Sequence, residues 1–216
     1  LTRLKSLWLD STGSTVTAAL PDYYFADVPT SLYELHIRSS SFASIGNNTF
    51  ADGLGQLNSL YLVNNSRLSS IDNRPVATGL GNLVYLQLSY SSISSLSANS
   101  FAGLDQLDSL LLDNNGLSSL SPNTFVGLGK LTELDLSYNS LSSFNSDTWN
   151  GLVSIRGLIL DNNLISSIAN SMFGGGGLST LYSLNVRNNH LSMIEPNAFA
   201  GFDSLQHLRL SGNQLT

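Results

Sequence analysis

A leucine pattern recurs along the whole chain, and its period constrains the fold more than any other feature of the sequence. Residues 131–139 read LTELDLSYN, with apolar residues at Leu131, Leu134 and Leu136 and a closing Asn139. The pattern begins every 24 to 28 residues, at Leu4, Leu32, Leu57, Leu83, Leu107, Leu131, Ile155, Leu181 and Leu205. Such a period is typical of a solenoid, in which each repeat packs only on its neighbours. We therefore predict a single domain over 1–216, with eight complete repeats and a partial ninth from 205.

Each repeat contains one short segment in which apolar and variable residues alternate, as they do in a β-strand. One strand per turn of the coil predicts a parallel sheet whose neighbouring strands lie about 4.8 Å apart. The pattern ends on a small polar residue, and an inward Asn there can bond the backbone groups freed where the strand ends. The predicted structural Asn ladder consists of Asn65, Asn115, Asn139, Asn163, Asn189 and Asn213, with Thr12, Ser40 and Ser91 in the remaining repeats.

A large apolar side chain returns in the second half of the repeat and is predicted to form a spine on the outer side. This column contains Phe25, Phe50, Val76, Phe101, Phe125, Trp149, Phe173 and Phe199. With the L-x-x-L-x-L-x-x-N pattern and the phrase FAGL at 101–104, it resembles the typical 24-residue extracellular subclass of the leucine-rich repeat family. That subclass includes Toll-like receptor, variable lymphocyte receptor and Slit ectodomains. The resemblance implies an α/β repeat solenoid, a right-handed coil with a concave parallel β-sheet and a convex side of loops and short 3₁₀ turns.

Charge and composition narrow the class of partner. The net charge is −6 and Lys and Arg total 9 residues, which disfavours a nucleic acid, because a phosphate backbone selects clustered basic side chains. No apolar run approaches the roughly 20 residues that span a bilayer, so no membrane span is expected in this segment. The sequons at Asn47 and Asn64 indicate N-glycosylation, and we expect an extracellular or cell-surface protein.

Both ends of the chain fall within the repeat pattern. Leu1 already stands on a repeat position, and neither end carries a polar cap. We expect the 216 residues to be an excerpt of a longer chain, without its two caps. Because an uncapped solenoid exposes its core at the end faces, contact with flanking chain or with a second copy is expected there.

The sequence contains no recognisable catalytic signature. No Cys is present, so thiol chemistry is excluded, and His36, His190 and His207 form neither a metal-spaced pair nor part of a G-x-S-x-G phrase. The run Gly174–Gly177 is followed by no Lys-Ser/Thr pair, which favours a loop over a phosphate-binding site. We therefore expect no enzyme activity, no cofactor and no metal ion.

The variable residues of each strand point to the open concave face, where core packing does not restrict them, so we place ligand binding there. The first four strands predict an aromatic zone, the middle strands an acidic zone and the last two strands a basic zone. The candidate ligand-binding residues are Trp8, His36, Arg38, Tyr61, Tyr85, Gln87, Asp113, Glu133, Asp135, Asp161, Arg187, His207 and Arg209.

Each zone also has a plain structural explanation. Aromatic residues and Arg are common interface anchors, but large side chains also simply cover a sheet. The four carboxylates of the acidic zone, Asp113, Glu133, Asp135 and Asp161, could be solvated surface charge, a site for a basic partner or a Ca²⁺ site. Calcium needs six to eight oxygens, which a flat sheet rarely brings together. The basic zone, Arg187, His207 and Arg209, could likewise be solvated surface charge. Tyr90 and Tyr138 directly follow the last variable position of their strand segments, Ser89 and Ser137. They are either rim residues of the binding face or residues that only cover the strand end.

These patterns predict a non-catalytic recognition module that binds a protein or a glycan through the concave face. The family resemblance implies the ectodomain of a receptor or adhesion protein. Two alternatives remain open from the sequence. One is a structural or extracellular-matrix protein that assembles laterally or end to end, and the other is the regulatory domain of a larger signalling enzyme.

Overall fold

The computed structural model of the protein describes residues 3–10, 19–46, 48–71, 79–170, 172–174 and 177–216. The strands, in chain order, are β1 (Ser6–Asp10), β2 (Glu34–Arg38), β3 (Ser59–Tyr61), β4 (Ser70–Ile71), β5 (Tyr85–Gln87), β6 (Ser95–Leu96), β7 (Ser109–Leu111), β8 (Glu133–Asp135), β9 (Gly157–Ile159), β10 (Ser167–Ile168), β11 (Ser183–Asn185), β12 (Met193–Ile194) and β13 (His207–Arg209). The main sheet is parallel and runs in the order β1-β2-β3-β5-β7-β8-β9-β11-β13. The short strands pair as β4 with β6 and as β10 with β12. The predicted leucine-rich-repeat solenoid, built on one parallel sheet, is confirmed.

One continuous hydrophobic core lies behind the main sheet. The central leucine of each strand points into it, and Leu110, Leu134 and Leu158 pair in register and are fully buried. Burying one such side chain contributes about 1.5–3 kcal/mol. At the two ends only one neighbouring turn covers the strand, so Leu7 is half-buried and Leu208 is 37% exposed.

The outer side of the coil holds a spine of aromatic rings. Phe125 packs between Phe101 and Trp149, with ring centroids 6.2 and 6.4 Å away. The buried rings of the predicted column are Phe25, Phe50, Phe101, Phe125, Trp149 and Phe173. Phe199 is partly buried, and Val76 lies outside the described residues.

Turns make up most of the outer side. Within the described ranges, the one helical element is the 3₁₀ helix Ser146–Trp149, where the side chain of Asn145 caps the N-terminus by accepting the N–H of Asp147. No helix in the same ranges has the length and apolar character that crossing a membrane requires.

Asparagine side chains tie each turn of the coil to the preceding turn. Oδ1 of Asn139 accepts the backbone N–H of Leu117 at 3.0 Å. Its Nδ2 donates to the carbonyl oxygens of Leu112 and Leu136 at 3.0 and 3.1 Å. Asn115, Asn163, Asn189 and Asn213 repeat this arrangement, and Asn65 bonds Ser40 N–H and the Ile37 carbonyl. Thr12 lies outside the described residues.

Candidate ligand-binding face

Four rings stack across the first four strands of the open sheet face, and we call Trp8, His36, Tyr61 and Tyr85 the aromatic stack. Strand register places Trp8 beside His36, and His36 beside Tyr61. The Trp8 and His36 rings are nearly parallel with centroids 3.7 Å apart, and the His36 and Tyr61 centroids are 4.1 Å apart. Tyr85 stands diagonally, 5.1 Å from Tyr61, because Tyr61 pairs in register with Gln87. The four side chains therefore form one contiguous surface.

Arg38 lies over this stack. Its Cζ is 4.6 Å from the Trp8 ring centroid and 5.8 Å from that of Tyr61, within the range of cation–π contacts. Its Nη2 is 3.0 Å from Nδ1 of His36. Since a guanidinium only donates, Nδ1 accepts and the neutral imidazole carries its proton on Nε2. That Nε2 and the Nε of Arg38 are buried without a hydrogen-bond partner among the described residues. Two buried donors are thus left unpaired at the centre of the stack.

The charged form of His36 is disfavoured by its surroundings. The side chain is 5% exposed. Burial lowers its pKa below the usual 6.5, and the positive charge of Arg38 lowers it further, while Glu34 and Asp10 act in the opposite direction. The Glu34 carboxylate oxygen lies 3.8 Å from Nε2, which is too long for a hydrogen bond.

Acid is therefore expected to destabilise the fold through His36. The unfolded imidazole takes up a proton near pH 6.5, whereas the folded ring stays neutral to lower pH, so falling pH favours the unfolded state. The variant His36→Phe keeps a stacked ring without a titrating group and is expected to lose less stability than the wild type between pH 7.5 and 5. Thermal unfolding followed by circular dichroism measures both losses, with the exposed His190→Phe as the matched control. Equal losses in His36→Phe and the wild type would contradict this role.

Neighbouring side-chain amides hold two carboxylates of the acidic zone. Oδ1 and Oδ2 of Asp161 accept hydrogen bonds from Nδ2 of Asn185 and Asn162 at 3.0 and 2.6 Å. Oδ2 of Asp113 accepts one from Nδ2 of Asn114 at 2.8 Å. These bonds orient the carboxylates, but neutral amides do not cancel their charge.

No cation compensates the acidic zone within the described ranges. No Lys or Arg nitrogen there lies within 4.0 Å of its carboxylates, and no group of three or more His, Asp or Glu side chains is arranged to hold a metal ion. Burial raises the pKa of Asp135, against the hydrogen bonds from Ser137, and the charges of Asp113 and Asp161 raise it further. Glu133 is exposed beside them. The zone thus presents uncompensated negative charge to the open face.

Tyr85 connects the aromatic stack to the acidic zone. Burial raises the pKa of its hydroxyl, and the neighbouring Tyr61, Glu133 and Asp113 raise it as well. Its ring contacts Tyr61 on one side, while these carboxylates lie on the other. The two zones are therefore parts of one surface rather than separate patches.

The basic zone lies on the last two strands and borders a notch in the sheet face. The notch has a volume of about 370 Å³ and opens at Gly157, where the neighbouring strands carry Glu133 and Ser183. Tyr182 forms part of its wall, and its hydroxyl is 2.9 Å from Nε2 of His207. The exposed basic side chains are Arg187, His207 and Arg209. Of these, Arg209 lines the notch.

A lateral groove that the sequence patterns did not predict runs along the edge where the strands begin. It has a volume of about 1160 Å³, and Lys130, Thr132, Arg156 and Tyr182 contribute to its lining. These residues stand directly before or after the first leucine-type residue of a repeat. The variety of side chains at those two positions is the signal that could have indicated this surface.

Of the two predicted glycosylation sites, Asn47 lies outside the described residues. Asn64 is exposed, and its Nδ2 donates to the Ser39 hydroxyl at 3.0 Å. N-glycosylation at either residue stays a prediction.

Comparison with known families identifies the repeat. Residues 56–117, 105–165 and 154–215 each match a family model described as leucine rich repeat. The chain belongs to the leucine-rich repeat family. No curated protein matches the sequence of this leucine-rich repeat chain.

Solved structures of Toll-type receptors resemble the leucine-rich repeat chain over nearly its whole length. A crystal structure of a TLR13-ssRNA13 complex is 31% identical with a TM-score of 0.85, and the match covers 95% of this chain and 29% of that one. A structure of the Toll–Spätzle complex of Drosophila is 26% identical with a TM-score of 0.83, covering 96% of this chain and 27% of that one. The leucine-rich repeat chain thus spans less than a third of either receptor chain.

The ligands of these two structures belong to different chemical classes. One complex contains single-stranded RNA and the other contains Spätzle. The expectation that nucleic acids are excluded as partners therefore finds no support in the comparisons. These two neighbours therefore do not decide which class of ligand the leucine-rich repeat chain binds.

Proposed function

We propose that this chain is a non-catalytic recognition module that binds a protein ligand through the concave face of its sheet. The observation that carries the proposal is the aromatic stack with Arg38 above it. Trp, Tyr and Arg are the residues most enriched at interface hot spots. Trp8 remains 53% exposed on this surface, so packing of the core does not explain its presence.

The acidic zone favours the same class of partner. Its uncompensated carboxylates would repel a phosphate backbone and attract Lys or Arg side chains. A protein surface that carries both signs of charge fits the acidic and basic zones together, whereas RNA does not. We further propose that the chain is part of the ectodomain of a cell-surface receptor or adhesion glycoprotein, which the likeness to Toll and TLR13 supports.

A binding screen with a concave-face variant tests the proposal. The chain is immobilised and probed with purified extracellular proteins by surface plasmon resonance, with single-stranded RNA as a separate arm. In a bound pair, the triple change Tyr61→Ala, Tyr85→Ala and Asp135→Ala is expected to weaken affinity by at least 30-fold, about 2 kcal/mol. Its melting temperature is expected to fall by only a few degrees, about 2–4 °C for each kcal/mol lost.

The matched control changes exposed residues outside the sheet face, Ser118→Ala with Ser143→Ala, and is expected to bind as the wild type does. Retention of full affinity by the triple variant would show that the concave face is not the binding surface. Binding to RNA alone, abolished by the same triple change, would keep the site and overturn the class of partner.

A further inference from the structure

A polar cleft lies on the rim of the sheet, beyond the ends of the strands and outside the concave face. It has a volume of about 570 Å³ and is shallow and widely open to solvent. Its lining consists of Asn64, Tyr90, Ser91, Asn114, Asn115, Tyr138, Asn139 and Asn162. The lining therefore combines two aromatic rings with neutral amides and a hydroxyl, and it contains no charged side chain.

The two tyrosines occupy backbone positions that do not favour them. Tyr90 and Tyr138 have φ of 55° and 52°, the left-handed region that suits Gly and Asn and is unusual for a bulky residue. In the other repeats whose residue at this position the structure describes, the column has φ between 50° and 75° and contains Ser39, Asn64, Asn114, Asn162, Asn188 and Gly212. Four repeats thus place Asn in this left-handed conformation. Two repeats place Tyr there, for which the conformation has a higher free energy.

Packing does not repay that cost. The residues Tyr90 and Tyr138 are 56% and 54% exposed. Neither hydroxyl has a hydrogen-bond partner within the part of the chain that the structure describes. Stability therefore accounts for neither tyrosine, whereas contact with a ligand would account for both.

The amides between and beside the two rings are oriented and still partly free. Nδ2 of Asn64 donates to Ser39, and Nδ2 of Asn114 and Asn162 donates to the carboxylates of Asp113 and Asp161. Among the described residues, nothing donates to Oδ1 of these three amides. Each amide also keeps a second N–H. The cleft thus offers fixed acceptors and donors side by side.

The lining itself contains no charged side chain. Asp113 and Asp161 are not part of the lining, but their carboxylates lie next to it, hydrogen-bonded to Nδ2 of Asn114 and Asn162. An anionic ligand would be repelled by these carboxylates, whereas a neutral ligand matches the amides and rings of the lining.

We propose that the cleft between Tyr90 and Tyr138 binds a neutral oligosaccharide. Sugar rings present apolar C–H faces, which pack on aromatic rings, and hydroxyls, which both donate to and accept from amides. Tyr90 and Tyr138 are two strands apart, about 10 Å, so each can contact a different unit of a linked sugar. Because the cleft lies outside the concave face, this inference does not depend on the proposed function.

The test uses the 216-residue chain produced without N-glycans, so that Asn64 stays free, and an array of neutral oligosaccharides built from hexoses and N-acetylhexosamines. Ligands found on the array are titrated by isothermal calorimetry. At least one is expected to bind, and the double variant Tyr90→Asn with Tyr138→Asn is expected to bind it at least 10-fold more weakly. The double variant is also expected to melt at the same temperature or a few degrees higher, since Asn suits this backbone.

Two controls keep the result interpretable. Tyr90→Phe with Tyr138→Phe retains both rings and is expected to keep most of the affinity. Tyr33→Asn changes a tyrosine that is 46% exposed outside the cleft and is expected to bind as the wild type does. The proposal is overturned if no array member binds, or if the Tyr90→Asn, Tyr138→Asn variant keeps full affinity. Loss of binding with an equal loss in Tyr33→Asn would overturn it as well.

Discussion

Replacement of Asn163 by Ala is expected to lower the free energy of unfolding by about 1–3 kcal/mol, a large effect for a single polar change. The side chain is 3% exposed. Its Oδ1 accepts the N–H of Leu141 at 2.9 Å, and its Nδ2 donates to the carbonyls of Leu136 and Leu160 at 3.0 and 3.1 Å. Ala would leave the buried Leu141 N–H without a partner, whereas the Leu136 and Leu160 carbonyls would keep the hydrogen bonds from Nδ2 of Asn139 and Asn189.

Urea unfolding of Asn163→Ala, followed by circular dichroism, measures this loss. The matched control is Asn170→Ala, because Asn170 is exposed and only its backbone N–H is bonded, to the Glu195 carboxylate. That control is expected to change stability by less than about 0.5 kcal/mol. A loss of under 1 kcal/mol for Asn163→Ala would mean that water satisfies the freed Leu141 N–H, and that the side chain does not hold the turns together.

The second large effect is expected at Gly151, where Ala should destabilise the fold by about 2–4 kcal/mol. Gly151 has φ of 95°, and an added Cβ would lie 2.6 Å from the carbonyl oxygen of Phe125 and 2.9 Å from Cα of Val126. Both partners are backbone atoms of the preceding turn, so they cannot move without opening the stack. The spine ring of Phe125 is carried by the same segment.

Two effects combine at Gly151: the strain of a positive φ and the close contact of an added Cβ with the preceding turn. Two other glycines separate these effects. Gly201 has φ of 88° but nothing within 4 Å of an added Cβ, so Gly201→Ala measures the backbone strain alone. At Gly129, the nearest atom to an added Cβ is Val153 Cγ2 at 3.9 Å, and Gly129→Ala is expected to be neutral or slightly stabilising. Thermal unfolding of the three variants should rank them as Gly151, Gly201 and Gly129, from most to least destabilised. Equal losses at Gly151 and Gly201 would show that the close approach is unimportant.

The position of every strand in the main sheet could be predicted from the leucine period. Each begins two residues after the first leucine-type residue of its repeat, as β8 follows Leu131 and β9 follows Ile155. This succeeded because burial of the apolar residues on one side fixes the register of a strand completely. The same logic placed Phe101, Phe125 and Trp149 together, since a solenoid stacks equivalent positions.

The details of the open face could not be predicted in the same way, because no burial requirement acts there. Which residues share the face follows from the period, but the diagonal contact of Tyr85 with Tyr61 depends on side-chain rotamers. So does the position of Arg38 over the rings. The left-handed backbone at Tyr90 was not predicted, and the signal that could have indicated it is the Asn at the same position of four other repeats.

The Asn bonds have a consequence for how such a chain can change in length. Oδ1 of Asn163 and of Asn139 receives the N–H of Leu141 and of Leu117, each in the preceding turn and 24 residues apart. Excision of 131–154 would bring Asn163 to the Leu117 N–H, a partner of the same kind in the same place. Whole turns are therefore interchangeable modules. Duplication or loss of one turn keeps the same hydrogen bonds between neighbouring turns, while it changes which residues form the ligand-binding surface.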